Sequence, residues 1–237
     1  MSTTRPPERA VISIIIPTLN EADSIGATLK SAQAGTDVEI IVVDGGSSDG
    51  TAQLANAFGV RLLTVSGGRA EQVNAGARSA NGDVLLFLHA DTRLPGGFDQ
   101  QILELLIRPG TVAGAFALGI DGPEIGLRLV EKLANFRSRF FQMPYGDQAI
   151  FLKADLFYSL GGFPEMDIME DFVFVQRLKR TGRVAIAPVA VRTSGRRWRR
   201  IGILKTTVIN QAVLLAYFLG RNPERLACWY RRTTLRG

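Results

Sequence analysis

Residues 11–21 read VISIIIPTLNE, and residues 39–50 read EIIVVDGGSSDG. In each, a short run of mainly β-branched residues stops at a polar, turn-forming stretch. An apolar run of this length, without in–out alternation, suits a strand covered on both faces, as in a parallel sheet. Outward from these two runs the pattern repeats. Helical composition follows at 23–34, where Ile25 and Leu29 stand four apart, and again at 51–58 and 70–79. Further strands are predicted at 61–65 and at 83–88, DVLLFL. Alternation of this kind predicts an α/β unit whose strand C-termini share one edge, where open α/β sheets bind ligands. Past Asp91 the rhythm loosens. Helices at 98–107, 125–141 and 171–180 and strands at 112–118, 147–152 and 184–187 are expected to complete the sheet and wall a cleft. In the amphipathic stretch 125–141, Lys132, Arg137 and Arg139 are expected on the polar side.

With 46% hydrophobic and 21% charged residues in 237, the chain builds a core and is not disordered. Its length suits one domain with an appendage. Cys228 is the only cysteine, which excludes an internal disulfide and a Cys-based zinc site. His89 is the only histidine, so no triad or metal site uses two. The net charge of +6 is unevenly spread. Residues 192–237 hold 11 of the 28 Lys+Arg and one acid, Glu224, a net +10, which leaves −4 for residues 1–191. A basic tail suits an anionic surface, whereas the acidic body argues against nucleic acid as a partner. The tail opens with RRWRR at 196–200, and 201–219 follows with Lys205 as its only charge. Thr206, Thr207, Asn210 and Gln211 form a polar stripe there, so an amphipathic helix lying in a membrane interface is expected rather than a span. Packing back on the body, or a homodimer contact, is the alternative. Residues 1–10 are expected to be a flexible N-terminus; no signal peptide is visible, so the protein is expected to start in the cytoplasm.

Polar residues gather where strands end: Pro17 to Glu21, Asp44 to Gly50, and His89 to Asp91. In a parallel sheet these three loops converge. Taken alone, Asp44 to Gly50 reads equally as a plain capped turn. GGSSDG contains neither G-x-G-x-x-G nor G-K-[ST], which disfavours dinucleotide and P-loop readings. A nucleotidyltransferase needs a phosphate loop after the first strand, and PTLNEAD offers none.

Five pieces in order, IIIPTLNEADSI, VVDGGSSDGT, FLHADT, GDQAIF and MEDFVFVQRL, resemble the motifs of an inverting family 2 glycosyltransferase of GT-A fold. The match covers most of 11–192, leaving 193–237 as the basic tail. The stretch GRAEQVNAGARSANGDVLLFLHADT is similar to small bacterial members described as arsenosugar-biosynthesis-like or 4,4'-diaponeurosporenoate glycosyltransferases. The resemblance implies a Rossmann-like GT-A sheet, a nucleotide-sugar donor (a UDP-sugar), and a lipid or small hydrophobic acceptor at the cytoplasmic face of the membrane. It implies that Pro17, Thr18, Asn20 and Glu21 lie along the base and ribose, with Asp44 and Gly45 beside them. It makes Asp91 the last acid of a D-x-D motif that reaches Mg²⁺ or Mn²⁺ on the diphosphate. Asp171, in the pair Glu170-Asp171, becomes the general base. The chain departs from the pattern at His89, which stands where the first Asp of that motif is usual. His89 is read as a metal ligand, as a phosphate hydrogen-bonding group, or as a packing residue that fixes Asp91. Arg69 is expected near the diphosphate, or as a solvated helix start. Asp147 and Gln148 are expected on the acceptor side, or in a simple turn. The acids at the start of 171–180 also suit a helix N-terminus.

Overall fold

The computed structural model describes residues 10–235. The N-terminal segment expected to be flexible therefore lies, but for Ala10, outside the described residues. The first half alternates as expected: β1 (Ile12–Thr18), α1 (Ala22–Ala32), β2 (Val38–Asp44), α2 (Thr51–Ala57), β3 (Arg61–Thr64), α3 (Arg69–Ser79) and β4 (Val84–Phe87). The four strands pair in parallel in the order β3-β2-β1-β4. Ile14 and Ile16 enter the core on one face of the sheet and Ile15 the core on the other, each fully buried. Burying one such side chain stabilises by about 1.5–3 kcal/mol, which is why the VISIII run fixes the central strand. Helix α3 sits close on this sheet: a Cβ on Gly76 would fall 2.5 Å from Ile15 Cγ2.

The second half comprises β5 (Thr92–Arg93), α4 (Phe98–Leu106), β6 (Thr111–Ile120), α5 (Ile125–Phe141), β7 (Ile150–Lys153), α6 (Ala154–Ser159), α7 (Glu170–Thr181) and β8 (Arg183–Thr193). It extends the sheet to eight strands, β3-β2-β1-β4-β7-β6-β8-β5, with β7 antiparallel to both neighbours. Two boundaries differ from the sequence reading. Residues 146–148 form a 3₁₀ turn, so the strand expected from 147 starts at Ile150. The strand expected to stop at Ala187 runs through Pro188 to Thr193, because its register with β6 jumps from Ala115↔Ile186 to Ala117↔Ala190 and leaves the proline in the irregularity.

Lys132 and Arg139 of helix α5 are exposed as expected, but its inner side is mixed: Leu127, Val130 and Ala134 pack with Leu118 and Ile120, and polar side chains turn inward beside them. Strand β7 pairs with β6 only at Ala113 and Gly114, so the rest of that edge needs other partners. Asn135 of α5 accepts from Leu118 N–H at 2.7 Å and donates to Leu118 O at 2.9 Å. Glu131 accepts from Ile120 N–H, and Arg128 donates to Ile120 O. These polar side chains thus face the sheet. Ile125, Leu129, Leu133, Phe136 and Phe140 face out, each at least 52% exposed. Arg137 departs from the expected outer polar side: it donates to Met143 O at 2.9 Å, and its guanidinium lies 3.5 Å from the Tyr145 ring centroid.

The tail forms α8 (Arg196–Ile201), α9 (Ile203–Phe218) and α10 (Pro223–Leu235). Gly202, at φ +94°, divides the single helix expected over 201–219. The polar stripe of α9 turns toward the body: Thr206 is fully buried and Asn210 accepts from Arg197 at 2.9 Å. Ile209, Val213, Leu226 and Ala227 are also buried, and Phe172 of α7 meets the rings of Tyr217 and Phe218 edge-on. These helices pack on the body, while Leu204, Val208, Leu215 and Leu219 remain exposed.

Asn135→Leu strands the Leu118 N–H and C=O and is expected to cost roughly 2–4 kcal/mol in chemical denaturation. Leu133→Gln, on the outer face of the same helix, is expected to stay within about 0.5 kcal/mol of wild type. Equal losses would contradict this orientation.

Candidate active site

The loops after β1 and β2 are laced together. Asn20, at φ +55°, donates its N–H to Ser47 Oγ at 2.8 Å and accepts from Ser48 N–H at 2.9 Å. Glu21 N–H reaches Thr51 Oγ1, and Ala22 N–H reaches Asp49. Gln72 of α3 donates to Thr18 O and to Val43 O, clamping the two strand ends together. Gly45 donates to Thr18 O at 2.9 Å, and a Cβ there would meet Gln72 Nε2 at 2.8 Å. Asp44 sits under this lacing, buried. It accepts from Thr18 Oγ1, from Ser47 Oγ and from the Gly46 and Ser47 amides. Burial alone would raise its pKa, but these hydrogen bonds hold it below the ordinary value. A carboxylate has about four acceptor positions, so Asp44 meets a base or ribose only by exchanging one of these donors.

One strand over, a small crevice lies among Pro17, Arg69, His89, Gly146, Glu170 and Asp171. Pro17 ends β1, His89 follows β4, Arg69 opens α3 and Glu170-Asp171 open α7, so parallel strand ends and helix starts build it together. Asp171 accepts from Gly146 N–H and from Phe172 N–H, both at 2.7 Å. Arg69 Nη1 lies 3.6 Å from Glu170 Oε1 and 3.4 Å from His89 Nε2. Burial, reinforced by the Arg69 charge, pushes the His89 pKa down to about 3, so the ring is neutral at physiological pH. Burial raises Glu170, with Arg69 opposing.

Asp91 follows on the same loop. Burial raises its pKa, while the guanidinium of Arg196, the nearest opposing charge, lowers it. Arg196 also pairs with Glu21 at 2.7 Å, joining the first loop to the tail. Asp147 Oδ1 is shielded from solvent and has no hydrogen-bond partner among the described residues. Burial pushes its pKa up to about 6, opposed first by Arg137. Gln148 is not at the crevice. Fully buried, it donates to Phe116 O and accepts from Ser138 Oγ, so the acceptor-side expectation is corrected: it fixes the 146–148 turn from behind.

The donor set bears on a divalent ion. No three His, Cys, Asp or Glu side chains converge on one point among the described residues. His89 is removed from the expected ligands, because Arg69 approaches its Nε2 and a Cβ on Gly146 would lie only 2.9 Å from that atom. Asp91 remains. A hard cation held by one carboxylate takes its other oxygens from phosphates and water. Asp91 therefore fits Mg²⁺ or Mn²⁺ arriving with a diphosphate, and does not fit a resident metal.

Residues missed in the sequence reading come from α5 and α10. Arg137 and Tyr145 stack behind the 146–148 turn. Tyr230 of α10 feels the charges of Arg197, Arg69, Asp171 and Glu170, and its ring lies 5.0 Å from the Arg197 guanidinium. Arg231 pairs with Asp167 just before α7. Aromatics interleaved with arginines were the visible signal; a wall beside the crevice is what they build.

Residues 13–152 match the family model described as glycosyl transferase family 2. The chain belongs to glycosyl transferase family 2. A Mycobacterium tuberculosis glycosyltransferase is 30% identical over 193 residues, covering 76% of this chain and 72% of that one. The undecaprenyl-phosphate 4-deoxy-4-formamido-L-arabinose transferase of Pseudomonas fluorescens is 34% identical over 97 residues, 35% of this chain and 28% of the relative. Among solved structures, the mannosyltransferase of Pyrobaculum calidifontis in complex with GDP-Man and Mn²⁺ aligns with a TM-score of 0.64 at 22% identity, over 97% of this chain and 74% of that one. That likeness supports the GT-A fold. The family match makes this protein a glycosyltransferase.

Two outcomes follow from the geometry. Gly146→Ala displaces His89 or Asp171 and is expected to slow sugar transfer on the order of 10²-fold in steady-state kinetics. The Asp147 carboxyl holds its proton more tightly in the native state than in the unfolded chain. The stability it gives is thus greatest below its ordinary value of 3.8 and is lost as pH rises through about 6. Asp147→Asn is therefore expected to raise the melting temperature at neutral pH, the gain closing as pH falls below 3.8.

Proposed function

We propose that this glycosyltransferase moves a sugar from a nucleotide-diphosphate donor, a UDP-sugar, to a hydroxyl of a lipid or small hydrophobic acceptor, with inversion at the anomeric carbon. The supporting observation is one crevice that gathers Arg69, Glu170 and Asp171, with Asp91 beside it. Asp171 is the general base: its carboxylate, oriented by the Gly146 amide, takes the proton as the acceptor oxygen attacks. The bond to the departing diphosphate breaks on the opposite face. Arg69 and Arg196 meet the charge that collects there, as guanidinium groups suit phosphate oxygens. A divalent ion, when bound, supplies further neutralisation of the diphosphate, and Asp91 would hold it. Pro17, Thr18, Asn20, Glu21, Asp44 and Gly45 form the base and ribose side through the laced loops. If the acceptor group is a carboxylate, as the likeness to diaponeurosporenoate enzymes implies, it attacks already ionised and Asp171 orients rather than deprotonates it.

The lipid acceptor and a position at the cytoplasmic face of an anionic membrane are supported by the outer surface. Ile125, Leu129, Leu133, Phe136 and Phe140 of α5 are exposed, with Lys132 and Arg139 among them, and so are Leu204 and Val208 of α9, which meets α5 where Ile203 lies against Gly126. Exposed apolar side chains interspersed with cations suit an anionic lipid interface. Among the described residues no helix is long and apolar enough to cross a membrane, and the attachment we propose is peripheral.

Transfer of radiolabelled sugar from a panel of UDP- and GDP-sugars into the organic phase of a membrane extract tests the reading. Asp171→Asn is expected to lower the rate by about 10²–10⁴-fold. Transfer unchanged in both Asp91→Ala and Asp171→Ala would refute the assigned roles. In flotation with phosphatidylglycerol-containing vesicles, Leu129→Ser with Leu133→Ser and Phe140→Ser is expected to abolish binding. Retention of binding would refute the docking face.

A further inference from the structure

The 146–148 turn holds a carboxylate that the fold leaves without a partner. The Oδ1 atom of Asp147 is buried and receives no hydrogen bond among the described residues. Arg137, the cation that most opposes its rise in pKa, does not supply one. That guanidinium donates to Met143 O at 2.9 Å and to Gln148 Oε1 at 3.3 Å, and stacks on Tyr145. The turn itself is rigidly set, with Gln148 anchored to Phe116 and Ser138 and Ala149 in the left-handed region at φ +50°. A rigid, buried acceptor oxygen with no donor carries a desolvation cost that a ligand hydroxyl relieves.

The charges around Asp147 say which ligand. It senses Asp171 on the proposed acceptor side, and Asp91 and Arg69 on the diphosphate side. Its neighbour Gly146 bridges the two: a Cβ on Gly146 would touch both His89 Nε2 and Asp171 Oδ2. In an inverting transfer the sugar ring is what lies between diphosphate and base. We infer that Asp147 is the specificity residue for the transferred sugar, accepting a hydrogen bond from one of its hydroxyls. This rests on the donor reading above and moves Asp147 from the acceptor to the donor sugar. A site built to hydrogen-bond a hydroxyl discriminates strongly against a sugar that lacks it or orients it otherwise, because the carboxylate is then left buried and unpaired.

The test is equilibrium binding by calorimetry of UDP and GDP and of UDP-glucose, UDP-galactose, UDP-N-acetylglucosamine and GDP-mannose. Wild type, Asp147→Ala and Asp147→Asn are compared, with circular dichroism confirming that each variant is folded. For at least one sugar nucleotide, wild type should bind more tightly than it binds the matching diphosphate. Asp147→Ala should lose that sugar increment, roughly 10- to 100-fold, while its affinity for the bare diphosphate is unchanged. Asp147→Asn, which keeps an acceptor oxygen, should retain part of it or alter which sugar is preferred. A sugar increment that is absent in wild type, or that survives intact in Asp147→Ala, overturns the inference while leaving the donor reading in place. If neither UDP nor GDP binds wild type, the donor reading fails and takes this inference with it.

Discussion

A strand edge that its neighbour leaves half unpaired governs the second half of this molecule. Strand β7 covers β6 at Ala113 and Gly114 only, and the exposed N–H and C=O groups from Phe116 to Ile120 would be orphans in a buried setting. Side chains answer them: Gln148 at Phe116, Asn135 at Leu118, Glu131 and Arg128 at Ile120. Because α5 turns Arg128, Glu131 and Asn135 inward for this, beside Leu127 and Ala134, its larger apolar side chains are left to solvent. Because Gln148 is drawn inward, the turn that carries Gly146 and Asp147 is pinned against the crevice. The outer hydrophobic strip and the shape of the site are two results of one hydrogen-bonding requirement.

The acids of the molecule divide by how the fold treats them. Asp44, Asp49 and Asp99 accept from backbone amides or hydroxyls and are held below the usual carboxylate value. They build loops, as hydrogen bonding to the charged form dictates. Glu21, Asp91, Asp147 and Glu170 are shifted the other way, by burial that nearby arginines only partly offset. Such a group is stabilised when a cation, a donor hydroxyl or a proton reaches it. Glu170 lines the crevice, and Asp91 and Asp147 feel the charge of its Arg69, whereas Asp44, assigned to the donor by its motif, belongs by its bonding to the scaffold.

The parallel half was legible because its signal is local. Runs such as VISIII and EIIVVD can be buried on two faces in few other ways, and the polar residues after them had to share an edge. The convergence of Pro17, His89, Glu170 and Asp171 followed from that topology and the ordered motifs. What stayed hidden depends on contacts between distant segments. No periodicity within 125–141 reveals that Arg128, Glu131 and Asn135 turn inward, since that depends on how far β7 extends along β6. The same applies to Gln148, whose partners Phe116 and Ser138 are 32 and 10 residues away. The two-residue β5 is too short to leave a pattern, and the continuation of β8 past Ala187 to Thr193 depends on a register jump against β6 that no local pattern shows.

The charge asymmetry acquires a physical meaning once the tail is seen against the body. Part of the excess positive charge is internal complement: Arg196 meets Glu21 across 175 residues of chain, and Arg231 meets Asp167 beside α7. Arg197 holds Asn210 and lies by the Tyr230 ring, so α8, α9 and α10 are cross-braced at the mouth of the crevice. Arg199, Arg225 and Arg232 of these helices are exposed, and so are Leu215, Phe218 and Trp229. The helices packed beside α7 therefore also carry exposed apolar and basic side chains. Under the proposed lipid acceptor, such helices would let its reactive end leave the apolar phase without crossing bulk water. Tyr217 and Phe218 meet Phe172 edge-on, and Phe172 follows Asp171 directly in the chain.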